Sequence, residues 1–363
     1  MGASSTQPQP MPNLTRRQHL QLWPALAGGA AWPLGAARAA EPRTLRVMAW
    51  PGYAEPEVVS AFEAEHGVQV QLTVVDSDQA LWRHLAADGG AGVDVFAVNT
   101  AELQRAVVQG LVAPVAPGAV PRVRDQLPRF QQVASIQGLV HGGQTMAVPF
   151  TYADMGLIYS KAHFSQPPRS VGALWDPRWR GRVLAYDGGV HNFSLAAQML
   201  GLPSPFQLSG ADWRPAVERL VALRRNVAGF YLHPEQSVQL FQRRQAVLMF
   251  ANYGSQQLHL LQKAGLDVGY TIPQEGALAW LDCWAVTRAC RQPELAAAWI
   301  NHLLGPVASG WLVSRQGLAN TTTHSLYPNE RLLWLQPPED AERRERLWAR
   351  IVSGDRVAKV LAL

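Results

Sequence analysis

Leu45, Val47 and Ala49 alternate with Arg46, Met48 and Trp50, a period of two that predicts a strand with two distinct faces. The turn residues Pro51 and Gly52 follow, then a helical pattern carrying Val58, Val59 and Phe62 that Gly67 can close. Val68, Val70, Leu72 and Val74 alternate with Gln69, Gln71 and Thr73 as a second strand, and Ser77 is placed to cap the helix after it. Asp94 to Val98 reads as a third, continuously apolar strand, with Asn99 or Thr100 capping a helix that carries Leu103, Ala106 and Val107. Strict alternation of strand and helix predicts a parallel sheet with ligands at the carboxyl ends of its strands. The turns Trp50–Tyr53 and Asn99–Glu102 lie at those ends.

Residues 114–145 are rich in Pro, Gly and Gln and show little period, after which Met146–Phe150 and Met155–Tyr159 read as strands leading into a second unit. That unit contains a strand to Tyr186, a helix with Leu195, Met199 and Leu200, a helix over roughly 212–225, and short strands at 246–250 and 268–272. A longer strand over 278–286 and a helix from Pro293 to Leu304 complete the pattern. The expected division is 44–152 plus 283–320 in one lobe and 153–282 plus 321–363 in the other.

The first 40 residues hold Arg16, Arg17 and Arg38 and no acid, joining a basic start to an apolar stretch from Leu20 to Leu34. This is the layout of an export signal, with a twin-arginine-like Arg16-Arg17 and a small-x-small site, Ala37-Arg38-Ala39, before Ala40. Pro24, Gly28, Gly29 and Pro33 interrupt the stretch, which argues against a retained membrane anchor. A periplasmic location is therefore expected. Removing those three arginines from the 32 Lys and Arg leaves 29 against 27 acids, so the mature chain is close to neutral. That balance, with no aromatic-basic stripe, excludes a nucleic-acid-binding role. About 320 mature residues exceed one ordinary hydrophobic core and favour two lobes. The two cysteines, Cys283 and Cys290, are separated mostly by strand, which holds them beyond disulfide reach. No metal-ligand spacing, nucleophile elbow, phosphate loop or dinucleotide fingerprint is present, so neither a cofactor nor catalysis is expected.

Four strings stand in order over residues 44–320: Trp50-Pro51-Gly52-Tyr53; Leu174-Trp175-Asp176-Pro177-Arg178-Trp179-Arg180-Gly181; Pro273-Gln274-Glu275-Gly276 followed by Trp280-Leu281-Asp282; and the helix Ala296–Leu304 with Pro306. On these the chain resembles the bacterial extracellular solute-binding proteins, specifically the spermidine/putrescine-binding proteins of ABC transporters. The resemblance implies an α/β, two-lobed periplasmic-binding-protein-like fold of type II that closes on a ligand held in the cleft. It also implies a membrane permease as partner and a monomeric state.

In that family the positions matching Trp280 and Asp282 contact the ligand's methylene chain and an ammonium group, and Trp50 and Tyr53 match aromatic wall positions. A desolvated carboxylate calls for a cation, and an indole face attracts one. Asp187, Glu102, His191 and Tyr253 complete the candidate set. Gly188 and His191 stand where the polyamine binders tend to place acids, which points to a ligand with one cationic centre, or with one cation plus an anion. His191 could titrate near neutral pH. Three other readings remain open: a periplasmic sensor reporting to a membrane receptor, an anion binder using helix N-termini, and a metal-chelate binder.

Overall fold

The computed structural model describes residues 43–323 and 331–362; the proposed export signal lies outside them. The three N-terminal strands, Arg43–Ala49, Val68–Val74 and Val95–Asn99, pair in parallel with Arg43–Ala49 in the middle, as their alternation with helices requires. The helices between them begin and end where the sequence places the caps. Gly67 ends Pro56–His66 in a left-handed conformation, the Ser77 hydroxyl accepts the Ala80 N–H, and the Asn99 side chain accepts the N–H groups of Ala101 and Glu102.

Chain crossovers then insert a long strand, Ala277–Thr287, antiparallel between Val95–Asn99 and Ala147–Met155. Ala319–Asn320, Val112–Ala113 and Leu332–Trp334 complete an eight-stranded mixed sheet. One of its faces packs Leu45, Val47, Phe62, Trp284 and Trp299; the other packs Met48, Phe96, Leu103, Phe130 and Leu281. The Trp299 ring is edge-on to both Phe62 and Trp284, the arrangement aromatic quadrupoles favour.

A five-stranded sheet forms the second lobe in the order Val227–Tyr231, Val183–Tyr186, Leu248–Phe250, Leu157–Ser160, Val268–Thr271. The chain enters it at Gly156. A β-carbon there would lie 2.5 Å from the Tyr270 hydroxyl oxygen, which accepts the Gly156 N–H and donates to the Asp154 carbonyl at 2.6 Å. Only glycine fits this crossing. The C-terminal helices Ala341–Val352 and Val357–Leu361 pack Leu347, Trp348, Ile351 and Val360 into the core of this lobe.

Sheet membership differs from the division read off the sequence. Residues 277–282 and 153–155 pair in the eight-stranded sheet, and so do Leu332–Trp334, all of which that reading assigned to the second lobe. Ala277–Thr287 is buried on both faces, so it reads as a continuous apolar run, and such a run carries no mark of the sheet it joins. Cys283 and Cys290 are both free thiols.

Arg344 fastens the C-terminal helix to the second lobe. It is fully buried, donates to both carboxylate oxygens of Glu339 (3.0 and 2.7 Å), and also donates to the Ser194 hydroxyl and the Val190 carbonyl. Arg344→Ala leaves Glu339 and these acceptors uncompensated. It is expected to lower the unfolding free energy by about 3 kcal/mol or more, read as a drop in the urea midpoint. A change within about 0.5 kcal/mol, the range of ordinary surface substitutions, would show the network to be dispensable.

Candidate functional site

A cavity of about 580 Å³ opens between the two sheets, and all eight candidate residues from the sequence border it: Trp50, Tyr53, Glu102, Asp187, His191, Tyr253, Trp280 and Asp282. Its floor is Asp282, on the central strand at an irregularity in the pairing with Ala147–Met155. Asp282 is 7% exposed, and its Oδ2 accepts the Tyr53 hydroxyl at 2.6 Å across a separation of 229 residues. Tyr53 is itself fixed edge-on against Phe150. No arginine or lysine pairs with Asp282 among the described residues. Desolvation therefore pushes its pKa up to about 7, the Tyr53 hydrogen bond opposes the shift, and Asp78 adds to it.

Trp280 precedes Asp282 by two residues and so leaves the strand on the same face. Its Nε1 donates to the Asn252 carbonyl oxygen at 3.1 Å, while the Asn252 side-chain Oδ1 and the Trp50 Nε1 are enclosed without a hydrogen-bond partner. Across the cavity, the Tyr253 hydroxyl donates to the Leu232 carbonyl and its ring is edge-on to Tyr186.

Seven carboxylates line the cavity: Asp76, Asp78, Glu102, Asp187, Glu235, Asp282 and Glu345. Neither lysine nor arginine is among the described lining residues. Four of the seven, Asp76, Asp78, Glu235 and Glu345, escape the sequence reading. Asp76 and Asp78 follow the second strand of a parallel sheet, so the strand-end rule that selected Trp50 and Glu102 reaches them too. Glu345 comes from the C-terminal helix and carries no such signal. The cleft walls desolvate Asp78 although its surface opens on the cavity, and with Glu102 they push its pKa up to about 6, against the pull of Arg105. Glu102 accepts the Trp82 Nε1 hydrogen and lies 3.6 Å from Arg105.

Two expectations for the smaller lobe change. His191 does not titrate near neutral pH; desolvation first, and the Arg344 guanidinium second, hold it down at about 4. It presents a neutral ring, 5.3 Å from that of Tyr186. The deficit of acid at Gly188 and His191 also does not leave the cleft short of charge. A β-carbon at Gly188 would lie 2.6 Å from the Tyr186 ring, which excludes an acidic side chain, and Glu345 approaches instead, accepting the N–H groups of Gly189 (3.0 Å) and Val190 (3.1 Å). Asp187 borders the cavity with one oxygen bound by the Trp348 Nε1 at 2.8 Å.

Comparison with known proteins agrees with this architecture. Residues 57–329 match the family described as bacterial extracellular solute-binding protein. The putrescine-binding periplasmic protein PotF of Escherichia coli is 24% identical over 351 residues, covering 87% of this chain and 93% of that protein. The putrescine/agmatine-binding protein of Pseudomonas aeruginosa is 24% identical over 323 residues, covering 84% and 81%. The solved structure of the spermidine/putrescine ABC transporter substrate-binding protein PotD from Streptococcus pneumoniae superposes with a TM-score of 0.68 at 18% identity, covering 88% of this chain and 99% of that one. At that identity the superposition establishes the two-lobed α/β fold alone. With the family match extending over three quarters of its length, the chain belongs to the bacterial extracellular solute-binding proteins.

Proposed function

We propose that this chain is the exported, periplasmic solute-binding component of an ABC transporter, capturing a cationic amine between its lobes and delivering it to a membrane permease. The observation that carries the reading is the lining: seven carboxylates and the aromatic rings of Trp50, Tyr53, Tyr186, Tyr253 and Trp280, with neither lysine nor arginine among the described lining residues. An ammonium or guanidinium entering this cavity meets charge of opposite sign, and an indole face adds about 0.5–2 kcal/mol. Methylene groups pack on the same rings. A phosphate, a sulfate or the carboxylate of a zwitterion finds no counter-charge there, which weighs against the anion and anionic-chelate readings. The relatives' names, putrescine-binding and putrescine/agmatine-binding, agree in charge type. Closure of the smaller lobe brings Tyr186 and Tyr253 over a ligand seated on Asp282 and removes it from water.

A thermal-shift screen checks the reading. Amines and guanidino compounds at about 100 times their dissociation constant are expected to add about 2.7 kcal/mol of stability, and Asp282→Asn is expected to remove most of it. Stabilisation by sulfate, phosphate or ferric chelates alone would sink the amine reading.

The pH dependence has a definite sign. The pKa of Asp282 is raised from 3.8 to about 7, so the folded state holds the proton more tightly than the unfolded chain does. Below about pH 4 both states hold the proton and the group costs nothing; between about pH 4 and pH 7 the unfolded chain ionises while the folded state does not, so stability from this group falls as pH rises through that window. Asp282→Asn removes the slope. Ligand affinity runs the other way, because a cation requires the ionised carboxylate. Calorimetry is expected to show amine binding weakening as pH is lowered from about 8 to about 5, with proton release on binding between those limits.

A further inference from the structure

The chain first passes between the lobes at Gly156, and one stretch of the smaller lobe, residues 251–259, rests against the larger lobe beside that crossing. The Ala251 N–H donates to the Gly156 carbonyl at 2.9 Å. The Asn252 carbonyl accepts the Trp280 indole at 3.1 Å, and a β-carbon at Gly254 would lie 2.5 Å from the Asp154 carbonyl oxygen. Ser255 then opens the helix Ser255–Lys263, and its hydroxyl donates to the Gly317 carbonyl at 2.8 Å. Gly317 ends the larger-lobe helix Pro306–Gln316 at a φ of 67°, the left-handed conformation that favours glycine. The start of a smaller-lobe helix thus meets the end of a larger-lobe helix, and the partial charges at those ends are opposite.

The junction has no slack. A β-carbon at Gly317 would stand 2.7 Å from the His259 β-carbon and 3.2 Å from the Gln256 Cα, so even a methyl group is excluded. It also lies on the cavity side of the crossing, because Tyr253 and Gln256 on one helix end and Gln316 and Leu318 on the other line the cavity. A rotation that widens the cavity separates the two ends, and one that narrows it presses them together. The larger-lobe half is braced: the Gln316 amide donates to Glu55 at 2.9 Å and fills the space a β-carbon of Gly52 would need, beside the turn that delivers Tyr53.

We infer that Ser255, His259 and Gly317 form an interlobe latch, made as the lobes come together and broken as they part, which prolongs ligand residence although none of the three borders the cavity. They are positioning residues: the hydroxyl–carbonyl bond and the close packing are lost on opening, so they hold the lobes over whatever the cleft contains. The latch goes beyond the amine reading and does not depend on which cation binds.

The test follows 1,4-diaminobutane by stopped flow on the mature protein. G317A is expected to raise the dissociation rate about tenfold or more and to leave association little changed, because the added methyl collides only when the lobes are together. G317A/H259G removes the opposing β-carbon and is expected to return dissociation to within about threefold of H259G alone. The left-handed strain of alanine at 317 is present with the lobes together or apart, so this rescue separates collision from strain. S255A is expected to raise dissociation about threefold through the lost hydrogen bond. An unchanged rate in G317A, or a faster rate that H259G does not relieve, overturns the latch. Should G317A fail to fold, S255A decides, and unchanged dissociation there overturns it. If the wild type does not bind the diamine, that amine fails as a ligand and the latch is read by X-ray scattering without ligand. A radius of gyration that rises in G317A and returns in G317A/H259G then supports the latch, and one that does not move overturns it.

Discussion

Asp282 is a carboxylate almost removed from water, with a tyrosine hydroxyl for a partner and no arginine or lysine paired with it among the described residues. Much of the architecture serves to keep it there. The turn after the first strand delivers Tyr53, whose ring is locked against Phe150, and the central strand is inserted between two others so that Asp282 stands at the irregular point of the ladder. Burial without a counter-charge among the described residues raises its pKa to about 7, because the ionised carboxylate loses its hydration and gains no cation in return. The walls fit that requirement, because indole and phenol rings stabilise a cation without neutralising the carboxylate in its absence.

The remaining acids divide by what already holds them. Where an acid accepts backbone N–H groups, as Glu345 does, it stabilises a helix start and brings the C-terminal helix against the smaller lobe. Asp187 does similar work through Trp348, tying the same helix to the end of the strand Val183–Tyr186. Glu102 likewise ties its helix to Asp78–Ala86 through the Trp82 indole, on which Arg105 is stacked, whereas Asp78 has only a long contact with the Asn99 amide.

Much of this was legible from residue order. Periods of two and then 3.6 over residues 45–107 determine the alternating strands and helices, and with them the strand ends where Trp50, Tyr53 and Glu102 meet the cavity. Ser77, Asn99 and Gly67 act as caps because capping depends on neighbours within four residues, a range over which sequence is also geometry. The strings around Trp280 and Asp282 were enough to place both in the cleft.

What the sequence could not decide depends on residues far apart in the chain. The strand Ala277–Thr287 is apolar on both faces, and only its pairing partners assign it to the larger sheet. The protonation of His191 depends on enclosure and on Arg344, 153 positions later, and that of Asp282 on burial and Tyr53. Gly188 reads as a lost acid in the sequence and as a requirement of the Tyr186 ring in the fold. Short-range pattern sets which elements form, because backbone dihedrals and caps respond to near neighbours. Which carboxylates stay available for a ligand is set through space, since solvation and Coulomb forces follow distance in the folded molecule and not separation along the chain.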